Sequence, residues 1–167
     1  HEKTAIDSYR CNAIEGNEYQ LFCWNDLWFP VYCCYELTSI TDRALFQSYA
    51  DAVIAVEWNK DTNYYSSIME SLSRDLHCYC IQVNTSKYGD SRIIQPTKTE
   101  EKDILNVKGG ITSTILIDNI DVEALRNFQL KGNLLQMSSH KGIPFKPTPP
   151  NFEYDILQNK INGTLWK

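Results

Sequence analysis

Phe29-Pro30-Val31-Tyr32-Cys33-Cys34-Tyr35-Glu36 is the stretch on which the reading of this chain turns. Its apolar and aromatic residues suit a strand, and Asn25-Asp26 separates it from an earlier run of the same character, Tyr19 to Trp24, as a short turn separates two strands. Downstream, Ile40, Ala44, Leu45 and Tyr49 recur at helical spacing over Ser39 to Tyr49, with cap chemistry at Thr41-Asp42. Ala52 to Trp58 reads as a buried strand, and Thr62 to Leu76 as a second helix through Tyr65, Ile68, Leu72 and Leu76. Cys78 to Asn84, Arg92 to Gln95 and Ser113 to Ile117 read as further strands, and Val122 to Leu130 as a helix. This alternation predicts an α/β sheet. In a parallel sheet, ligands collect beyond the carboxyl ends of the strands, and Cys34 falls at such an end.

With 43% hydrophobic and 12% aromatic residues, 167 residues can bury one substantial core, which excludes disordered and fibrous classes. A net charge of −5 without a basic stripe argues against direct nucleic-acid binding. The longest apolar runs, such as Ala52 to Val56, fall far short of the roughly 20 residues that cross a bilayer. The chain opens on His1 without a signal peptide, so an upstream segment is expected. Six cysteines lie in apolar, strand-like segments, which predicts reduced thiols and a cytoplasmic location. The sequons at Asn84 and Asn162 are then chance matches. Residues 1–137 are expected to form the folded unit. From 138 to 167, Gly142-Ile143-Pro144 and Pro147-Thr148-Pro149-Pro150 predict an extended tail without a helix, either a loose end or an arm on a partner subunit.

A thiol at the position of Cys34 can be pushed toward thiolate by a following helix or a neighbouring cation, and the backbone N–H of Tyr35 can face an oxyanion formed by its attack. An inert strand cysteine fits the same position. Glu36 can orient the turn around Cys34 or cap the next helix. Glu57, Trp58 and Asn59 follow the next strand and share the rim with Cys34, as pocket lining or as a solvated loop. Cys78 and Cys80 share one strand face while Cys33 and Cys34 point oppositely, so these thiols and His77 are not expected to converge on a metal. Cys33 is expected to point into the core.

Cys34-Tyr35-Glu36 resembles the Cys-Tyr-Asp/Glu nucleophile segment of the nitrilase, or carbon–nitrogen hydrolase, superfamily. Gly89-Asp90-Ser91-Arg92-Ile93-Ile94-Gln95-Pro96 is similar to the G-x-S-x-I-x-x-P element that follows it there. The likeness runs over residues 29–96 and fades after about residue 130. Pro30 stands where the family has glycine, Cys33 where it has isoleucine, and Arg74 lies nearer the next strand than in typical members. The wording around Cys33 to Leu37 and Ser73 to Tyr79 most resembles nitrilase-like domains attached to bacterial reverse transcriptases in anti-phage defence.

The resemblance implies part of an α-β-β-α sandwich that hydrolyses non-peptide amide or nitrile bonds through Cys34 without a cofactor. Tyr35 and Glu36 would support the nucleophile; Gly89 and Ser91 would join Glu57, Trp58 and Asn59 at the pocket, with Gly89 giving a close backbone position. A glutamate base and a lysine complete the family's triad, and both precede the cysteine. Lys3 faintly echoes the lysine segment. The implied partners are the upstream part of the same domain, further copies of the chain and a covalently linked reverse transcriptase domain. A silent assembly module on the same fold is the alternative.

Overall fold

Asn25 and Asp26 both adopt left-handed backbone, φ 48° and 63°, in a computed structural model that describes residues 18–110, 115, 117–138 and 145–165. Two consecutive positive-φ residues suit the twist of a tight hairpin, and they join β1 (Leu21–Trp24) to β2 (Leu27–Cys33) antiparallel. β3 (Ala52–Glu57) and β4 (Tyr79–Asn84) continue parallel to β2, whereas β5 (Ser91–Ile94) and β6 (Asp103–Val107) are antiparallel. The sheet order is β1-β2-β3-β4-β5-β6, a mixed α/β architecture. Among the described residues parallel pairing is confined to β2, β3 and β4, because the short link from Asn84 to Ser91 has no room for the crossover a parallel neighbour needs.

The crossovers carry α1 (Ile40–Ala44) and α2 (Thr62–Leu76). α2 spans the predicted residues: Asp61 caps its start by accepting from Tyr64 N–H, and His77 ends it in left-handed backbone. α1 is shorter than the spacing suggested, its cap is Ser39, and turns occupy residues 45–49. α2 lays Tyr65, Ile68, Met69, Leu72 and Leu76 on one sheet face, against Tyr32, Val53, Ala55, Cys80 and Ile94. On the other face, α3 (Val122–Gln129) packs Leu125 onto Ala52 and Tyr79. That cover stops halfway up. Val56 and Val83, on adjacent strands in register with each other and with Cys33, are each 48% exposed. A groove of about 520 Å³ continues this apolar face past Ile81, Ile93, Leu105 and Val107.

The tail departs from expectation. After α4 (Gly132–Ser138) it forms α5 (Tyr154–Ile161), with Leu157 and Phe152 buried. The prolines at 147, 149 and 150 keep the chain out of helix only as far as a turn at 150–151, where Asn151 is left-handed with φ 65°; beyond it Leu157 and Lys160 recur at helical spacing. The tail returns to its own chain: Glu153 N–H donates to Ser48 Oγ at 2.7 Å, and His77 Nε2 meets Lys146 O at 2.6 Å. β6 and α4 were not foreseen, and the strand predicted over Ser113 to Ile117 lies outside the described residues apart from Ile115 and Ile117.

Asp51, 1% exposed at the start of β3, is the common acceptor of four donors. Oδ1 accepts from Arg126 Nε at 3.0 Å and Lys160 Nζ at 2.7 Å; Oδ2 accepts from Arg126 Nη2 at 2.7 Å and Trp28 N–H at 3.0 Å. Burial opposes the Arg126 charge, but Asp51 and then Asp26 outweigh it and raise the guanidinium above its ordinary value. Burial pulls the Lys160 ammonium down even with Asp51 beside it. Asp51→Asn, which strands Lys160 and half of the Arg126 partnership in the interior, is expected to cost roughly 3–5 kcal/mol in denaturant unfolding.

His77 gives a pH signature. Its ring is buried, and burial lowers it to about 4 from the ordinary 6.5. With Nε2–H donating to Lys146 O, Nδ1 is free to accept from Gln129 Nε2, so the neutral ring satisfies both contacts. The unfolded chain binds a proton at higher pH than the folded one, so stability rises with pH across this window. The His77 contribution is present above about pH 6.5 and is lost as pH falls through 4, roughly 3 kcal/mol in all. His77→Gln should flatten that part of a stability-against-pH curve.

Candidate functional site

Cys34 sits one residue beyond β2 with φ 38°, a left-handed backbone uncommon for a residue with a side chain, and opens a short 3₁₀ helix, Cys34–Thr38. The turn is closed by Glu36, whose Oε2 accepts from Cys33 N–H at 2.6 Å. Glu36 thus faces back along the chain and fixes the backbone that carries the thiol. Tyr35 is 71% exposed. Cys34 is half-buried and packs at the edge of the α2-side core. Asn59 Nδ2 donates to its sulfur at 3.6 Å. Tyr65 belongs to the core against which Cys34 packs; burial first, and the neighbouring Cys34 next, push its hydroxyl above its ordinary value.

Cys33 requires a correction. It is exposed rather than in the core. Strand alternation turns Tyr32 toward α2 and Cys33 to the opposite face, at a height that the cover of α3 does not reach.

Glu57 ends β3 on the same side as Cys34 and is 6% exposed. Its Oε2 accepts from Gln82 Nε2 at 2.9 Å, while Glu57 Oε1 and Gln82 Oε1 are buried without partners. Burial raises the Glu57 carboxyl above its ordinary range, against the pull of Gln82 and Arg92. Trp58 points to solvent. Asn59 is tied to Asn84, which lies in register with Glu57 on β4.

Gly89 and Ser91 lie behind Asn84 rather than against the sulfur. Gly89 has φ 78°, and a Cβ there would collide with the Lys108 carbonyl, so glycine permits two loops to touch. Ser91 Oγ bridges the backbone of Asn84 by accepting from its N–H and donating to its carbonyl, both at 3.0 Å. Cys34, Asn59 and Tyr65 are therefore in contact, with Glu57 beside them, while Tyr35 and Trp58 stand outside. Tyr65 and Asn84 were not singled out from the sequence. An Asn closing a buried strand is the available signal for Asn84, whereas the helical spacing of Tyr65 marks it as a packing residue. Lys3 lies outside the described residues. Among those described, no three His, Cys, Asp or Glu side chains are placed to hold a metal ion, and no helix is long and apolar enough to cross a membrane.

No protein-family model matches the chain, and no curated protein matches it. Solved structures do align. An amidase from Nesterenkonia sp. shares 12% identity at a TM-score of 0.46, covering 59% of this chain and 41% of its own. A form of the Nesterenkonia sp. AN1 amidase carrying the Michael adduct of acrylamide at its active-site cysteine aligns over 42% of its length, again at 12% and 0.46. Saccharomyces cerevisiae Nit3, a member of branch 10 of the nitrilase superfamily, shares 16% identity at a TM-score of 0.49, covering 57% of this chain and 39% of its own. The chain thus spans about two fifths of the length of these structures.

The thiols can be ranked. Cys78 and Cys80 are buried, and burial followed by contact with Cys78 raises the Cys80 thiol well above its ordinary value. The Cys33 thiol is raised by partial burial, then by the Glu36 carboxylate and Cys34. Peptide-mapped iodoacetamide labelling near neutral pH should modify Cys34 before Cys33, although Cys33 is the more exposed, and leave Cys78 and Cys80 untouched. Glu36→Gln, which keeps an acceptor for Cys33 N–H and removes the charge, should raise the Cys33 rate a few-fold.

Proposed function

We propose that Cys34 is the nucleophile of a nitrilase-like carbon–nitrogen hydrolase acting on non-peptide amides or nitriles. One observation carries the reading: a thiol just beyond a parallel strand, in a left-handed turn, with an amide donating to its sulfur and the Tyr65 side chain in the core it packs against. The thiolate adds to the carbonyl or nitrile carbon, and the displaced π pair moves onto oxygen or nitrogen. The Tyr35 backbone N–H faces that developing anion. For an amide, collapse breaks the C–N bond, a proton passes to the departing amine, and a thioester remains. Water then adds to the thioester and restores the thiol as the acid leaves.

The proton carrier and the lysine of this scheme are the pair that the resemblance places before the cysteine, with Lys3 a candidate for the latter. Glu36 supports the turn from its contact with Cys33 N–H. Glu57, Trp58, Asn59, Gly89 and Ser91 belong to the walls of the site or to the loops behind them. The Cys33 to Leu37 and Ser73 to Tyr79 segments extend the proposal to a nitrilase-like domain joined to a reverse transcriptase in antiviral defence, located in the cytoplasm. Free thiols at Cys23, Cys33, Cys34, Cys78 and Cys80 suit that compartment.

The second reading, a silent assembly module, is favoured by the uncovered sheet face around Val56 and Val83. Burial of that face is the role we assign to the upstream part of the domain or to a second copy of the chain. In the whole protein, Cys34→Ala should reduce ammonia release from short amides and nitriles by at least about a thousandfold and leave the melting temperature nearly unchanged. Cys33→Ala, on an exposed residue, should keep activity and change stability by no more than about 0.5 kcal/mol. Undiminished turnover or biological function in Cys34→Ala would make the thiol structural and the assembly reading the better one.

A further inference from the structure

Asn59 presents two different ends, and the hydrogen bonds around it decide which faces Cys34. Its Oδ1 accepts from the backbone N–H of Asp61 at 2.8 Å. A backbone N–H can only donate, so the atom facing it is the amide oxygen and the NH₂ is left to face the sulfur. Asp61 in turn caps α2, the helix whose Tyr65 belongs to the core that Cys34 packs against. An amide N–H aimed at sulfur fixes the direction of its lone pairs and bonds more strongly to an anion than to a neutral thiol.

The backbone of Asn59 is held as firmly as its side chain. Its N–H donates to Asn84 Oδ1 at 3.0 Å, and its carbonyl accepts from Asn84 Nδ2 at 2.8 Å. Asn84 Oδ1 also accepts from Thr85 N–H at 2.9 Å, and Nδ2 also donates to the Gly89 carbonyl at 2.9 Å. Both lone pairs and both hydrogens of this buried amide are in use. An aspartate would offer acceptors alone, and a shorter hydroxyl would lack the second donor.

We infer that Asn59 is a catalytic residue, donating to the Cys34 sulfur, and that Asn84 is the positioning residue that holds it there. This rests on the proposal that Cys34 is the nucleophile. The test reads the sulfur directly, in the whole protein, as the iodoacetamide rate of Cys34 near neutral pH. Asn59→Asp keeps the acceptor for Asp61 N–H but replaces the donor at sulfur with a carboxylate. A donor role therefore predicts the order wild type, Asn59→Ala, Asn59→Asp from fastest to slowest, with the aspartate down about tenfold or more. If Asn59 does not donate, the added charge alone slows Asn59→Asp, and Asn59→Ala with an unchanged melting temperature labels at the wild-type rate; that result overturns the inference.

Asn84→Asp removes the donors to the Asn59 and Gly89 carbonyls and should slow Cys34 labelling several-fold. If Asn84 acts through Asn59, adding it to Asn59→Asp should slow the reaction no further. Multiplicative effects would overturn the positioning role. Asn84→Ser poses the same question in a folded protein if the aspartate does not fold. Hydrolysis retained in Cys34→Ala defeats the functional proposal without touching these labelling rates, whereas a wild-type rate in Asn59→Ala defeats the inference and leaves Cys34 as the nucleophile.

Discussion

The register of three parallel strands decides where everything else falls. Cys33 lies opposite Val56, Val56 opposite Val83, and Glu57 opposite Asn84. The strands therefore stop at one level, and the residues just beyond them emerge side by side. Period-two alternation then sorts these positions: Cys34, Glu57 and Asn84 fall to the α2 side, Cys33, Val56 and Val83 to the face that is largely open. A slip of one residue would exchange Glu57 or Asn84 for a valine, or Cys34 for Cys33, so the grouping of these side chains is a direct product of backbone pairing.

The opposite end of the same strands is fastened by charge. Asp51 draws Arg126 from α3 and Lys160 from α5 to the start of β3, while its bond to Trp28 N–H fixes β2 at the same level. Two buried cations around one carboxylate are costly to desolvate, and what that arrangement supplies is specificity: only a chain in which residues 51, 126 and 160 meet satisfies all of them. His77 adds a second link to the tail from the end of α2.

Patterned elements were legible in the sequence. Thr62–Leu76, Ala52–Glu57, the Asn25-Asp26 turn and Val122–Gln129 all carry a strong period or a strong turn signal, and each appears where those signals put it. Elements with mixed composition escaped. β6, reading Asp-Ile-Leu-Asn-Val, offers little alternation, and α5 hides behind four prolines in the preceding stretch. In the site, Cys34 was visible from its place after an apolar strand. Asn59 was visible only as a rim residue, because its orientation depends on Asp61 and Asn84, and Asn84 is 25 positions away in the chain. Long-range hydrogen bonds leave no periodicity to read.

The left-handed backbone at Cys34 bears on how such a domain drifts. Glycine, asparagine and aspartate adopt that conformation at little cost, a β-branched side chain hardly at all, and cysteine has no special aptitude for it. Relaxed selection would thus push position 34 toward a small set of replacements, glycine foremost, and each of them would ease the local conformation while abolishing the thiol. A descendant that kept the scaffold only as a docking platform would be recognisable by that exchange before any change in its core.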